Sequence, residues 1–207
     1  MNITRIKIGD LPVLVIDKFF DDNEASAVWN ELEFLSDKFQ GPEQTFSAHS
    51  KNNPKQLLKK NKGVFINQVL NPEYSKIMQA HTKLFDPKLK HRFCEESNFF
   101  QYLFCDFEYD VLLSRYNEGD YYDPHADTVL MSCITWMYKE PKNFTGGDFV
   151  ILSPEGETVI DLKNNRTVIF PSCLLHAVQP VEMKSDNMLD GRFSISCFIS
   201  TRKNTGN

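Results

Sequence analysis

From Asp106 to Ile199 short apolar runs alternate with turn residues, and this rhythm restricts the fold more than any other feature of the chain. The strand-like runs are Asp106–Tyr116, Val129–Tyr138, Phe149–Leu152, Thr158–Leu162, Arg166–Phe170, Leu174–Val181 and Arg192–Ile199. Between them lie Thr145-Gly146-Gly147-Asp148, Ser153-Pro154-Glu155-Gly156 and Asn164-Asn165. Gly, Pro and Asn are the residues that turns demand. Strands this short, with turns roughly every 8–12 residues, suit a β-sandwich or jelly roll.

The first third has a different texture. Residues 3–16 read as one strand. Asp21, Asp22 and Asn23 then offer caps to a helix carrying Ala25, Val28, Trp29, Leu32 and Leu35 at helical spacing. Gln40–Lys62 is polar, with Gly41-Pro42 and Asn53-Pro54, and reads as a long loop; loops of that length are commonly functional, so a substrate-facing flap is one role for it. Val64–Ile66 is a short strand. A second helix is expected with Asn71 as cap, Pro72 at its first position, and Tyr74, Ile77, Met78, His81, Leu84 and Phe85 along one stripe. His81 on that stripe reads as a core residue, His49 in the polar loop as solvated, and the stretch from His91 has no clear assignment.

The expected fold is therefore mainly β with N-terminal helices packed on one side. Its 207 residues are enough for a single domain, with a helix-rich support over about residues 1–105 and a β core over about 106–200. A net charge of −5 offers no basic footprint for nucleic acid. No apolar run approaches the roughly 20 residues a membrane helix needs, and the N-terminus lacks a signal-peptide core. Five cysteines without a C-x-x-C pair fit reduced thiols in a cytoplasmic protein. Cys133, Cys173 and Cys197 sit among apolar neighbours and read as core-filling.

Chemistry concentrates in Ser114–Asp127. In an extended segment residues i and i+2 point to one side, so His125 and Asp127 can converge, although a surface turn rich in Asp and Tyr has the same composition. The β region holds one further histidine, His176, after the run Thr167–Phe170. In a rolled antiparallel sheet it would face the first pair and complete two imidazoles and a carboxylate. Such a set holds divalent iron with adjacent positions left open, enough for a bidentate co-substrate and dioxygen, whereas a zinc hydrolase needs one open position and a general base. Arg192 begins the last strand, and alternation puts Ser194 on its side, with Phe193, Ile195 and Cys197 on the other. A guanidinium with a neighbouring hydroxyl suits a carboxylate; a solvated Arg192, or one paired with Asp190, is the plainer alternative.

These pieces together resemble the iron(II)- and 2-oxoglutarate-dependent dioxygenases, in their prolyl 4-hydroxylase-like branch. The resemblance is carried by Tyr116-x-x-Gly119, His125-Ala-Asp127, Gly146-Gly147-Asp148, Phe170-Pro171, His176-Ala-Val-x-Pro180-Val181 and Arg192-Phe-Ser194. Val13–Phe20 followed by a helix resembles that branch's opening segment. The likeness is strong over about 105–200 and weaker before it. It implies a distorted double-stranded β-helix with iron on His125, Asp127 and His176. It also implies 2-oxoglutarate held by Arg192 and Ser194, Tyr116 touching the co-substrate, and Tyr122 touching co-substrate or substrate. The reaction implied couples cleavage of 2-oxoglutarate to succinate and carbon dioxide with hydroxylation by dioxygen of a prolyl residue in a protein or peptide, ascorbate supporting activity. The branch occurs from animals to bacteria and phages, so the compartment expected is the cytoplasm, a bacterial host's for a phage-encoded member.

Two departures bear on the substrate. His176 and Arg192 stand further apart than in compact relatives, Met183–Asp190 reading as an inserted hairpin tip. Trp136 stands where animal oxygen-sensing relatives have a co-substrate tyrosine, and an indole cannot accept a hydrogen bond. Nucleic-acid demethylases of the superfamily carry a second arginine where this chain has Phe198, and halogenating relatives lack the carboxylate that Asp127 supplies. A free amino acid or small metabolite as substrate, and a non-catalytic jelly-roll binding protein, are the alternative readings; no oligomeric state follows from the sequence.

Overall fold

The computed structural model describes residues 1–45, 48–50 and 53–202. Its first strands are β1 (Asn2–Ile8), β2 (Leu11–Asp17), β3 (Lys59–Lys60), β4 (Lys62–Phe65), β5 (Phe107–Tyr116), β6 (Tyr121–His125) and β7 (Met131–Met137). They are followed by β8 (Phe144–Gly146), β9 (Phe149–Ser153), β10 (Gly156–Ile160), β11 (Arg166–Pro171), β12 (Leu175–Val178), β13 (Val181–Met183) and β14 (Arg192–Thr201). The helices are α1 (Asp22–Phe34), α2 (Ile66–Val69), α3 (Lys76–His81) and α4 (Pro87–Glu96).

Seven strands form one sheet in the order β1-β2-β11-β7-β14-β5-β4, and five form a second in the order β10-β9-β12-β6-β3. A two-stranded ribbon, β8-β13, stands apart from both. This is the jelly-roll arrangement expected from the turn rhythm, and the double-stranded β-helix that the resemblance implies. Alternation along each strand serves two cores at once. On the seven-stranded sheet Leu14, Ile16, Phe193, Ile195 and Cys197 pack against the helices with Val28, Leu32 and Ile77. Val13, Val15, Ile134 and Val168 point the other way, onto Phe149, Ile151 and Val178 of the smaller sheet. Buried side chains on both faces of β14 thus fix its register, because a one-residue slip would exchange the two sets.

Several boundaries differ from expectation. Residues 3–16 form a hairpin rather than one strand: Gly9 takes φ +56°, a left-handed turn that glycine adopts without strain. The second helix is capped by Ser75, not Asn71, and Tyr74 is exposed, off the apolar stripe. The reason is tertiary. The buried Glu31 of α1 accepts from Ser75 Oγ at 2.5 Å and Ile77 N at 3.4 Å, and also from Lys76 N, so the helix starts where those donors are used. The unassigned stretch at His91 is α4, with Asp86 as cap and Pro87 leading. Leu174–Val181 divides at Pro180 into strands of two different sheets, and Met183–Asp190 is not a hairpin tip, since β13 pairs with β8 and β14 with β5 and β7. Cys133 and Cys197 are buried, but Cys173 is exposed in the turn after β11 and fills no core. Part of Gln40–Lys62 lies outside the described residues; its end forms β3 and pairs with β6.

His81 is fully buried between Phe19 and Phe20, with Nδ1–H donating to Ile77 O at 2.9 Å. Burial pushes its pKa from the ordinary 6.5 down to about 4. The unfolded chain takes up the proton first, so this contribution is neutral above pH 6.5 and destabilises the fold as pH falls towards 4. At about 1.4 kcal/mol per pKa unit, the loss reaches about 3 kcal/mol. His81→Leu is expected to flatten the acid limb of stability, measured by denaturant titration between pH 7 and 4; an unchanged limb contradicts the assignment.

Candidate active site

Paired strands β6 and β12 bring His125 directly opposite His176. Both Nδ1 atoms face backbone carbonyls at 2.9 Å, Asp123 O for His125 and Leu174 O for His176. A carbonyl only accepts, so each Nδ1 carries the proton and each Nε2 is left with its lone pair outward. Asp127 lies just past β6, with Oδ1 3.8 Å from His125 Nε2 and Oδ2 3.7 Å from His176 Nε2. Two atoms bonded at roughly 2.1 Å to one ion stand at most about 4.2 Å apart, so both separations suit a shared ion. All three donor atoms fall within 4.8 Å of one another. Burial pushes the His125 imidazole down to about 3 and lowers that of His176, which favours the neutral, metal-binding form of each.

The carboxylate is itself held. Ser132 Oγ donates to Asp127 Oδ2 at 2.5 Å, Ser172 Oγ lies 2.8 Å from Ser132 Oγ, and Asp127 N donates to Ser172 O at 3.0 Å. Loss of a hydrogen bond that orients a metal ligand costs roughly 10–100-fold in affinity. Ser132→Ala is therefore expected to weaken iron(II) binding by about that factor without unfolding the protein; a chelator-competition titration matching wild type would contradict it.

The set opens into a cavity of about 190 Å³ between the two sheets. Along β14 and β5 its wall is a ladder of paired residues: Arg192 with Tyr116, Ser194 with Ser114, Ser196 with Leu112, Phe198 with Asp110. Arg192, at the floor, is 1% exposed. Its guanidinium lies 4.7 Å from the Tyr116 ring and 5.9 Å from that of Trp136, yet Nε and Nη1 have no partner among the described residues. Burial pushes its pKa down to about 10, against the attraction of Tyr116 and Asp148. The alternative of an Asp190 pair does not hold, because Asp190 interacts with Asn143 and Asn187. Gly147, at φ +69°, lets the β8–β9 turn close on this side chain: a Cβ there would stand 3.0 Å from Arg192 Cδ and 2.8 Å from Val181 Cγ2. Two orphaned, buried guanidinium donors beside Ser194 and Ser114 fit a carboxylate.

The remaining predicted residues also reach the cavity. Tyr116 is buried at the floor, its phenol pushed up to about 12 by burial. Tyr122 stacks on His125 with ring centroids 3.5 Å apart and 12° between planes, bracing the imidazole. Trp136 is buried beside Arg192, and its Nε1 has no partner among the described residues. Sequence reasoning missed Lys59 and Asn61, both cavity-lining, and the serine pair behind Asp127. Lys59 is buried, which pushes its pKa down to about 8. Nothing local marked it: a two-residue strand in a polar stretch is specified by its partner β6.

Fold and site together define a β-helix protein in which two histidines and a carboxylate that could hold a metal ion share a cavity with a buried guanidinium. Residues 111–200, which carry the whole set, match the model of the 2OG-Fe(II) oxygenase superfamily. The name of that superfamily points to iron(II) and 2-oxoglutarate. A PKHD-type hydroxylase of Maricaulis maris is 35% identical over 77 residues, 34% of this chain and 35% of that one. Another, from Parvibaculum lavamentivorans, is 32% identical over 77 residues, 34% of this chain and 35% of that one. The chain thus spans about a third of the length of these curated relatives. A Pseudomonas putida prolyl-4-hydroxylase shares the fold with TM-score 0.61 at 15% identity, covering 92% of both chains. A Trichoplax adhaerens prolyl hydroxylase, solved with a hypoxia inducible factor peptide fragment, does so with TM-score 0.62 at 14% identity, over 91% of this chain and 83% of that one.

Proposed function

We propose that the chain is a single-domain iron(II)- and 2-oxoglutarate-dependent dioxygenase that hydroxylates prolyl residues in a protein or peptide. Arg192 carries this reading: a guanidinium buried at the floor of a cavity, with two donors unpaired among the described residues, lining the same cavity as His125, Asp127 and His176. His125, Asp127 and His176 would hold the iron. Arg192, with the Ser194 hydroxyl beside it, would bind the distal carboxylate of 2-oxoglutarate, and Tyr116 would close the floor over it. When bound, iron and 2-oxoglutarate supply the oxidation, with dioxygen cleaving the keto acid to succinate and carbon dioxide. Ascorbate would keep the iron reduced between turnovers.

The chain's own residues orient and exclude. Ser132 and the two Nδ1 contacts hold the ligands in one geometry, so little reorganisation is needed when the metal enters. Phe65, Leu112, Val129 and Phe198 line the cavity and suit the aliphatic ring of a prolyl residue while keeping water from the metal side. Phe198 offers no charge to a nucleic-acid backbone, in keeping with a peptide substrate. The test is mass spectrometry of proline-containing peptides incubated with protein, iron(II), 2-oxoglutarate and ascorbate. Gain of one oxygen atom on proline, matched by succinate release, is expected. Succinate release with no modified proline across a broad library would reject the prolyl assignment and leave the oxygenase one.

A further inference from the structure

Between β3 and β4 the chain passes from one sheet to the other through a single residue, Asn61. β3 ends at Lys60 on the five-stranded sheet, where it pairs with β6, the strand of His125. β4 begins at Lys62 on the seven-stranded sheet, where it pairs with β5, the strand of Tyr116. Asn61 is 5% exposed and lies on the wall of the cavity that His125, Asp127, His176 and Arg192 also line. An amide buried at such a seam needs a partner, because burying it without one is costly.

Strand register supplies that partner. Lys62 lies opposite Arg115 and Gly63 opposite Ser114, so the antiparallel pairing continued by one step sets Asn61 against Tyr116. Tyr116 is in turn paired with Arg192 on β14. Alternation puts Asn61 on the face of Phe65, and both line the cavity, as Ser114 and Tyr116 do. The Asn61 side chain hydrogen-bonds the Tyr116 phenol and holds its pKa down, against the burial that raises it. A hydrogen bond that eases loss of the proton is one donated to the phenol oxygen. The Asn61 amide N–H therefore donates, and Tyr116 Oη accepts.

The phenol's single proton must then go to another group. The Arg192 guanidinium, its carbon 4.7 Å from the Tyr116 ring centroid, can only donate. So can the Trp136 indole, whose ring centroid is 5.9 Å from the same carbon. Asp120 and Asp127 act on the phenol through charge rather than a hydrogen bond. Asp120 accepts from Asn117 N at 2.9 Å, and Asp127 accepts from Ser132. The floor of the cavity is thus a set of donors, which an arriving carboxylate, an acceptor only, completes.

We propose that Asn61 is a positioning residue for the co-substrate: it donates to the Tyr116 oxygen so that the phenol proton points at a carboxylate of 2-oxoglutarate beside Arg192. The inference rests on the oxygenase reading and deepens it. A phenol O–H has two orientations in the plane of its ring, and a donor on one side selects the other. Asn61 thereby sets the hydroxyl before the ligand arrives, so that binding need not reorient it. The crossing between the sheets, and not β5 alone, determines affinity for the keto acid.

The test is a double-mutant cycle read by anaerobic titration of the iron(II)-loaded protein with 2-oxoglutarate. Asn61→Leu, close to Asn in size, removes the amide N–H, and Tyr116→Phe removes the hydroxyl it orients. Each should raise Kd for 2-oxoglutarate roughly tenfold, the scale of a hydrogen bond to a charged group. The two together should raise it little more than either alone, because both remove the same bond. Asn61→Asp keeps the shape but draws the phenol proton to itself, and should lose at least as much as Asn61→Leu. Iron(II) affinity, read by chelator competition, should match wild type in each variant. Should the leucine not pack, Asn61→Ala takes its place in the cycle. The proposal is overturned if any of these single variants binds 2-oxoglutarate as wild type does, or if iron(II) binding weakens in step with it. It is also overturned if the two losses multiply to roughly a hundredfold, the mark of independent sites. A wild-type protein that holds iron(II) but binds no 2-oxoglutarate counts against the oxygenase reading itself, whereas wild-type binding with an indifferent Asn61 counts against Asn61 alone.

Discussion

Arg192→Met is expected to lower affinity for 2-oxoglutarate by two to three orders of magnitude while making the ligand-free protein more stable. Both effects have one origin. The guanidinium is 1% exposed, and Nε and Nη1 have no partner among the described residues, so the empty fold bears the desolvation of a cation. Replacing buried ions by well-packed apolar groups is often stabilising by roughly 1–4 kcal/mol, and the Met stem can follow the Arg path between Tyr116 and Gly147. Once 2-oxoglutarate is present the sign reverses. A carboxylate left in that site without its guanidinium loses roughly 3–5 kcal/mol, at about 1.4 kcal/mol per decade. Calorimetric titration and thermal melting check the two halves. A variant that binds as wild type, or that melts well below it without ligand, contradicts the role given to Arg192.

Asp127→Ala is expected to have the largest effect on turnover, a loss of roughly three orders of magnitude or more, with iron(II) no longer retained through gel filtration. Removing a hydrogen bond behind a ligand already costs roughly 10–100-fold, and here the ligand itself goes, with the only negative charge of the set. Two neutral imidazoles would remain, 4.2 Å apart by ring centroid, a poor hold on a hard divalent ion. The fold should survive, because Asp127 lies outside the named strands and its backbone N–H to Ser172 O is kept. Iron content and succinate release are the measurements. A variant that retains one iron per chain would remove Asp127 from the metal set.

The β half of the molecule was open to sequence reading because two-residue alternation is set by the chain itself. Arg192 and Ser194 fall on the cavity side of β14, with Phe193, Ile195 and Cys197 on the helix side, as their spacing alone requires. The same logic placed His125 and Asp127 together, and the lone histidine of the C-terminal region completed the set. What was hidden depends on partners distant in sequence. Asn71-Pro72 satisfies the local rules for a helix start, but Glu31, forty-four residues from Ser75, claims the donors that set the real one. Gly9 divides one apparent strand because β2 must lie between β1 and β11. Cys173 has apolar neighbours in sequence yet sits on a turn. Lys59 and Asn61 acquire meaning only when β3 docks on β6, an event that two residues in a polar stretch cannot announce.

The central claim is that one cavity holds iron on His125, Asp127 and His176 with 2-oxoglutarate anchored on Arg192. Anaerobic visible absorption of the iron(II)-loaded protein during titration with 2-oxoglutarate tests it without needing the substrate. The account predicts a charge-transfer band that saturates at one keto acid per iron in wild type, is absent in Asp127→Ala, and in Arg192→Met requires at least a hundredfold more 2-oxoglutarate. A wild-type protein that binds iron yet gives no band at any 2-oxoglutarate concentration would contradict it.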